Sequence, residues 1–180
     1  IAAGQLESRI WDAALRTYVH GMTEAIAQEV AEPGAVPLLH ELLVDSSFPR
    51  RDNVVAFLAY LGGSDSTAHL IASLSRGALD PSLPADDRAA LLVPEALGRI
   101  AGRGDPRALG ALLALTRRDP TDGALSLSIT IDADLARQAV RALAFTGSSE
   151  ALARLAEIER SAERPGDPDA DLATGVRAAT

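Results

Sequence analysis

The chain has 180 residues, is 47% hydrophobic but only 3% aromatic, and carries a formal net charge of −8. That composition suits one helical domain with a core of small aliphatic side chains, and it excludes non-specific binding to nucleic acid or anionic membrane, which needs a cationic field. Cysteine is absent, which excludes disulfides and thiolate metal sites, and no apolar run approaches the ~18 residues of a membrane span.

Along the chain, Gln5–Ala31 reads as one long helix, with Trp11, Leu15, Tyr18, Met22, Ile26 and Val30 forming an apolar stripe at helical spacing. Gly21 interrupts it at a cost of about 1 kcal/mol, and Glu32-Pro33-Gly34 ends it. Helices are predicted over Ala35–Val44, with Pro37 in the first turn, and over Arg50–Leu61, with Val54, Phe57, Leu58 and Leu61 inward. Further helices follow over Ser66–Ser75, Asp86–Gly102 (where Pro94 should kink the helix or mark its start), Arg107–Thr116, Asp132–Thr146 and Glu150–Arg160. A last helix begins at Asp169–Ala179. Between Arg107–Thr116 and Asp132–Thr146 the stretch Leu125–Ile131 alternates apolar and polar residues, a strand pattern in a helical chain.

The helices repeat. Gly-rich corners at Gly63, Gly104 and Gly147 are separated by 41 and 43 residues. On that period Phe57 aligns with Leu97 and Val140, Tyr60 with Ile100 and Leu143, and Ile71 with Leu112 and Leu155. The run Asp132-Ala133-Asp134-Leu135-Ala136 returns as Asp169-Ala170-Asp171-Leu172-Ala173. Two helices per period of ~40–47 residues is the signature of HEAT and armadillo arrays.

Over roughly Gly34–Thr180 the sequence resembles HEAT repeats, especially the short bacterial kind found in phycobilin-lyase-related proteins. ALGRIAGRGDPRALGALL, from Ala96 to Leu113, carries the resemblance best, with an apolar second helix, Gly, Asp-Pro at the turn, and the Leu-rich first helix of the next unit. With the Leu125–Ile131 alternation read as a short strand in one intra-repeat loop, the resemblance implies an all-α, right-handed α-solenoid of helical hairpins. It divides the chain into an N-terminal long helix over 1–33, acting as a cap or half repeat, and about three and a half repeats over 34–180. It also maps the family's turn Asp onto Asp105 and its second-helix Arg onto Arg141 and Arg177. The phase of the ends predicts a piece of a longer array, or a Trp11-bearing cap.

Two regions are candidates for recognition. Leu125, Leu127, Ile129 and Ile131 form an edge that could add a strand to a partner or else cover the ends of neighbouring helices. Arg99, Arg137, Arg141 and Arg177, with Glu95, lie on second helices, where planar guanidinium forks suit acidic peptides or carboxylates. They serve equally as a structural ladder to Asp132, Asp134 and neighbouring loops.

Other features carry less. His20, His40 and His69 lack metal-ligand spacing. Asp167–Asp171 opens like a calcium loop but has Leu172 and Ala178 where Gly and Glu are required. No GxSxG context or dinucleotide fingerprint occurs, so no catalytic set and no cofactor is expected. The sequence therefore points to a non-catalytic scaffold with a protein or peptide partner, without nucleic acid or membrane insertion, in a soluble and more plausibly cytoplasmic protein. The alternative, by fold analogy alone, is an enzyme-associated or chromophore-handling module like the phycobilin-lyase-type proteins. A crowded Asp/Arg/Tyr pocket on the second-helix face would favour that alternative.

Overall fold

The computed structural model describes residues 3–77, 84–119, 131–164, 167, 169–173 and 176. They form an all-α protein with helices α1 (Ala3–Leu15), α2 (Glu24–Gln28), α3 (Ala35–Val44), α4 (Arg51–Leu61), α5 (Ser64–Gly77), α6 (Pro84–Gly102), α7 (Pro106–Arg117), α8 (Ala133–Leu143) and α9 (Ser149–Ser161). Helix α3 packs on α4, α5 on α6 and α7 on α8. In one row α3, α5, α7 and α9 touch in succession, and in a second row α4, α6 and α8 do the same. Among the described residues no helix is long and apolar enough to cross a membrane.

Local sequence explains several helix boundaries. Asp105 precedes Pro106 at the start of α7, and its carboxylate accepts the Arg107 amide at 3.0 Å. Asp132 caps α8 through the Leu135 amide at 2.7 Å, and Ser148 caps α9. Gly104 sits at φ +99 and Gly147 at φ +63. Both corners use the left-handed region that glycine enters without penalty. Pro94 is accommodated inside α6 without ending it.

Most of the repeat-aligned side chains belong to the core. Phe57, Leu97 and Val140 are buried, as are Ile100, Leu143, Leu112 and Leu155. Small residues set the spacing of the second row. A Cβ on Gly98 would lie 2.7 Å from the Ala142 carbonyl oxygen, so α6 and α8 approach backbone to backbone. In the first row each step carries a buried polar tie. His40 Nε2 lies 2.8 Å from Ser66 Oγ, between α3 and α5. Thr67 donates its hydroxyl to Asp105 at 2.5 Å, between α5 and α7. Arg154 donates to the Thr116 hydroxyl at 3.1 Å and to its carbonyl at 3.0 Å, between α7 and α9. Each satisfies groups that would otherwise be buried without partners.

The N-terminal segment departs from the sequence expectation. It is not one long helix: α1 stops at Leu15 and α2 starts at Glu24. The Asn53 amide donates to the Ala14 and Arg16 carbonyls at 2.7 and 2.8 Å, and the Tyr18 phenol donates to the Ala13 carbonyl at 2.9 Å. These bonds satisfy the carbonyls that a continuing helix would have used. Gly21, at φ +80, then turns the chain, and the Thr23 hydroxyl caps α2 by accepting the Ile26 amide. The buried face of α1 is Ile10, Ala13 and Ala14, while Trp11 and Leu15 are 40% and 38% exposed. The expected stripe was therefore one residue out of register at its start.

Candidate functional site

The cleft begins with the polar start of α4. Asn53, by holding the end of α1, lays residues 16–23 across α4. Two turns later the Tyr60 phenol donates to the Met22 carbonyl at 3.1 Å and pins the same connection from below. The opposite wall is α6, where Arg88, Leu92 and Glu95 recur at i, i+4 and i+7 and so share one face. Ala56 and Ala59 line the space between, and their small side chains leave it open. The result is a cleft of about 310 Å³, with Tyr18, Tyr60, Arg50, Asp52, Asn53, Arg88 and Glu95 among its polar lining.

Most of that polarity is already paired. Arg50 holds Asp52 at 3.0 Å and also donates to Asn53 Oδ1 at 3.2 Å. Glu95 accepts two bonds from Arg99, at 3.0 and 3.1 Å, and the Arg99 guanidinium lies 4.4 Å from the Tyr60 ring centroid. That stack joins α4 to α6 and orients the fork. Burial pushes the Tyr18 phenol above its ordinary value, with Arg16 opposing the shift. Burial lowers Arg103, the guanidinium of which donates to the Ala59 and Gly62 carbonyls. Arg88 is exposed, and among the described residues no hydrogen bond or ion pair holds it. The cleft offers an apolar floor, aromatic walls and one uncommitted cation, a combination suited to binding a side chain or small molecule that carries an anionic group.

Among the described residues, those singled out from the sequence fall in separate settings, apart from Arg99 and Glu95, which pair at the cleft. Arg99 lies beside this cleft, whereas Arg137 pairs with Asp134 on its own helix and Arg141 is exposed on α8. Ile131 is 5% exposed and belongs to the core. Leu125, Leu127, Ile129 and Arg177 lie outside the described residues, as does the proposed strand. The cleft residues Tyr18, Asn53 and Arg88 carried no sequence signal. They come from three separate segments, and only the break in the N-terminal helix brings them together.

Two further polar clusters are structural. His40 contacts Ser66 and stacks on His69, with ring centroids 4.0 Å apart and planes at 12°. Burial lowers the His40 pKa, the neighbouring His69 adds to that shift, and Asp65 opposes it. Ser66 is fully buried, so the pair ties helices together and cannot present a nucleophile. At α7–α9, Arg117, Arg154, Arg160 and Arg164 line a second cavity of about 310 Å³ with Glu150 and Glu157. Its central member, Arg154, is spent on Thr116, Glu157 and Asp169. Among the described residues no group of three or more His, Asp or Glu converges as a metal site. Compared with models of protein families, with curated proteins and with solved structures, the chain matches none.

Proposed function

We propose that the chain forms a HEAT-like α-solenoid that acts as a non-catalytic scaffold for a protein or peptide partner, with the α4–α6–α8 face as the binding surface. The two rows of successively packed helices, joined as α3–α4, α5–α6 and α7–α8, support the solenoid reading. The observation that carries the binding reading is the cleft between residues 16–23, α4 and α6, where an exposed Arg88 stands over an Ala and Leu floor. In such arrays one helix row supplies a continuous surface, and a partner is read through a few anchored side chains. The test is affinity capture with the native chain and with Arg88→Glu and Ala56→Arg variants, which reverse the charge and fill the floor. A scaffold working through this face loses its partner in both variants while its thermal melt stays unchanged. Equal capture by all three proteins would place recognition elsewhere.

A second reading has an observation of its own. The co-occurrence of Asp52, Arg50, Tyr18 and Tyr60 around one cleft is the pocket type expected of a small-ligand or chromophore-handling module. Its volume is at the lower end of ligand pockets, which run about 300–1,000 Å³. The extent to which Asp52 and Tyr60 are committed to Arg50 and the Met22 carbonyl favours the scaffold. Saturable binding of a small anionic aromatic molecule, lost in Ala56→Arg, would reverse that preference.

A further inference from the structure

A second groove shares no residue with the α4–α6 cleft. It runs between α1 and α3 and has a volume of about 210 Å³. Ile10 and Trp11 from α1, with Leu38 and Leu42 from α3, make its apolar lining. Trp11 is held edge-on against the buried Phe48 ring at 4.9 Å and 78°, yet keeps 40% of its surface exposed. Tryptophan is among the residues enriched at the anchoring positions of protein interfaces.

Its rim is of one sign. Glu7 from α1, Glu41 from α3 and Asp45, just past the end of α3, are its only charged lining residues among those described. Glu7 precedes Trp11 by four residues and Glu41 follows Leu38 by three, so both carboxylates stand on the helix faces that carry the apolar groups, and Asp45 adds a third just past the end of α3. Asp45 accepts the amide and hydroxyl of Ser47 at 2.8 and 2.6 Å, which fixes its carboxylate. An apolar trough walled by three carboxylates repels an acidic partner and leaves a neutral one without a match for its rim.

We propose that the α1–α3 groove docks a cationic amphipathic segment of a partner protein, seating one apolar side chain against Trp11 while flanking Arg or Lys residues pair with Glu7, Glu41 and Asp45. The mode is a helix-in-groove interaction read through i, i+3 and i+4 anchors. It is independent of the α4–α6 face, and either could fail without the other.

Trp11 is the only tryptophan, so its emission reports on the groove alone. The probe is a short synthetic peptide of Leu and Arg at amphipathic helical spacing, with a Leu and Glu peptide of the same pattern as control. Titration of the native chain with the Arg peptide is expected to give a saturable blue shift, and the Glu peptide none. A Glu7→Gln/Glu41→Gln variant is expected to bind at least about tenfold more weakly. A Glu159→Gln/Glu163→Gln variant, equal in charge but altered at the other end of the helix order, is expected to change by less than about twofold. All four side chains are exposed, so neither variant threatens the core. Absence of a saturable shift, or equal weakening in both variants, would overturn the proposal, the second by reducing it to the overall negative field. Sedimentation showing that the chain self-associates and shields Trp11 without peptide would also overturn it, in favour of a second copy as the occupant.

Discussion

Replacing Gly98 by Ala puts the packing of α6 on α8 to a direct test. Alanine is the better helix former, by about 1 kcal/mol, so propensity alone predicts a more stable protein. The added Cβ would lie 2.7 Å from the Ala142 carbonyl oxygen, 3.1 Å from its Cβ and 3.3 Å from its carbonyl carbon. Carbon atoms pack at about 3.5–4.0 Å, and the obstacle is backbone with no rotamer to yield. The two helices must separate, loosening Leu97, Ile100, Val140 and Leu143, which are at most 1% exposed. Overpacking of this kind costs about 1–3 kcal/mol, and a backbone obstacle belongs at the upper end. The net expectation is destabilisation of about 1–2 kcal/mol, or a Tm lower by roughly 3–6 °C for a chain of this size. Gly4→Ala is the matched control, in the exposed helix α1 with nothing within 4 Å of the new Cβ. It should be neutral or stabilising by up to ~1 kcal/mol. Thermal melts followed by circular dichroism decide the matter. A Gly98→Ala protein that melts at or above the native temperature would show that α6 and α8 do not approach as closely as described.

Other substitutions address the polar ties. Arg154→Leu strands the Asp169 carboxylate and the Thr116 groups, and should cost about 3–5 kcal/mol in denaturant unfolding. Glu157→Gln, at a partner whose side chain is 59% exposed, should cost less than about 1 kcal/mol, and similar losses in the two would refute the distinction. Asp105→Ala removes the α7 cap and leaves the buried Thr67 hydroxyl without its partner, for an expected loss of about 2–3 kcal/mol, measurable by the same unfolding curves. His40 is held below its ordinary value of 6.5 by burial and by His69, so the unfolded chain takes up the proton first. Its contribution is complete above that value and is lost as pH falls towards the folded pKa. His40→Gln should flatten the change in unfolding free energy between about pH 7.5 and 5.5, and an unchanged slope would assign it to other groups.

The repeating helices were legible because their cause is local. Phe57, Leu97 and Val140, or Ile71, Leu112 and Leu155, recur on one period, and all six are buried. Caps at Asp105, Asp132 and Ser148 are written in the residues beside them. The clefts were not legible. Arg88 and Tyr18 are far apart in sequence, and neither belongs to a motif. The His40–Ser66 contact joins residues on two helices with no spacing to reveal it. Of the second-helix arginines singled out from the sequence, Arg99 is the one among the described residues that adjoins the α4–α6 cleft, and Glu95, named with them, lines it.

The N-terminal segment separates the two kinds of information most clearly. By itself the sequence determined that Gln5–Ala31 favours helix, because propensity and apolar spacing act over a few residues. Tertiary structure decided where that helix stops. Asn53, distant in sequence, takes the carbonyls of Ala14 and Arg16, and Tyr60 takes that of Met22. Those bonds outweigh a continuing helix because they satisfy the same acceptors while burying Ile10, Ala13 and Ala14. The break opens the cleft against α4 and α6, and the burial of Ile10, Ala13 and Ala14 leaves Trp11 on the exposed side of α1. Both candidate binding surfaces thus depend on contacts that form only when the rows of helices have packed.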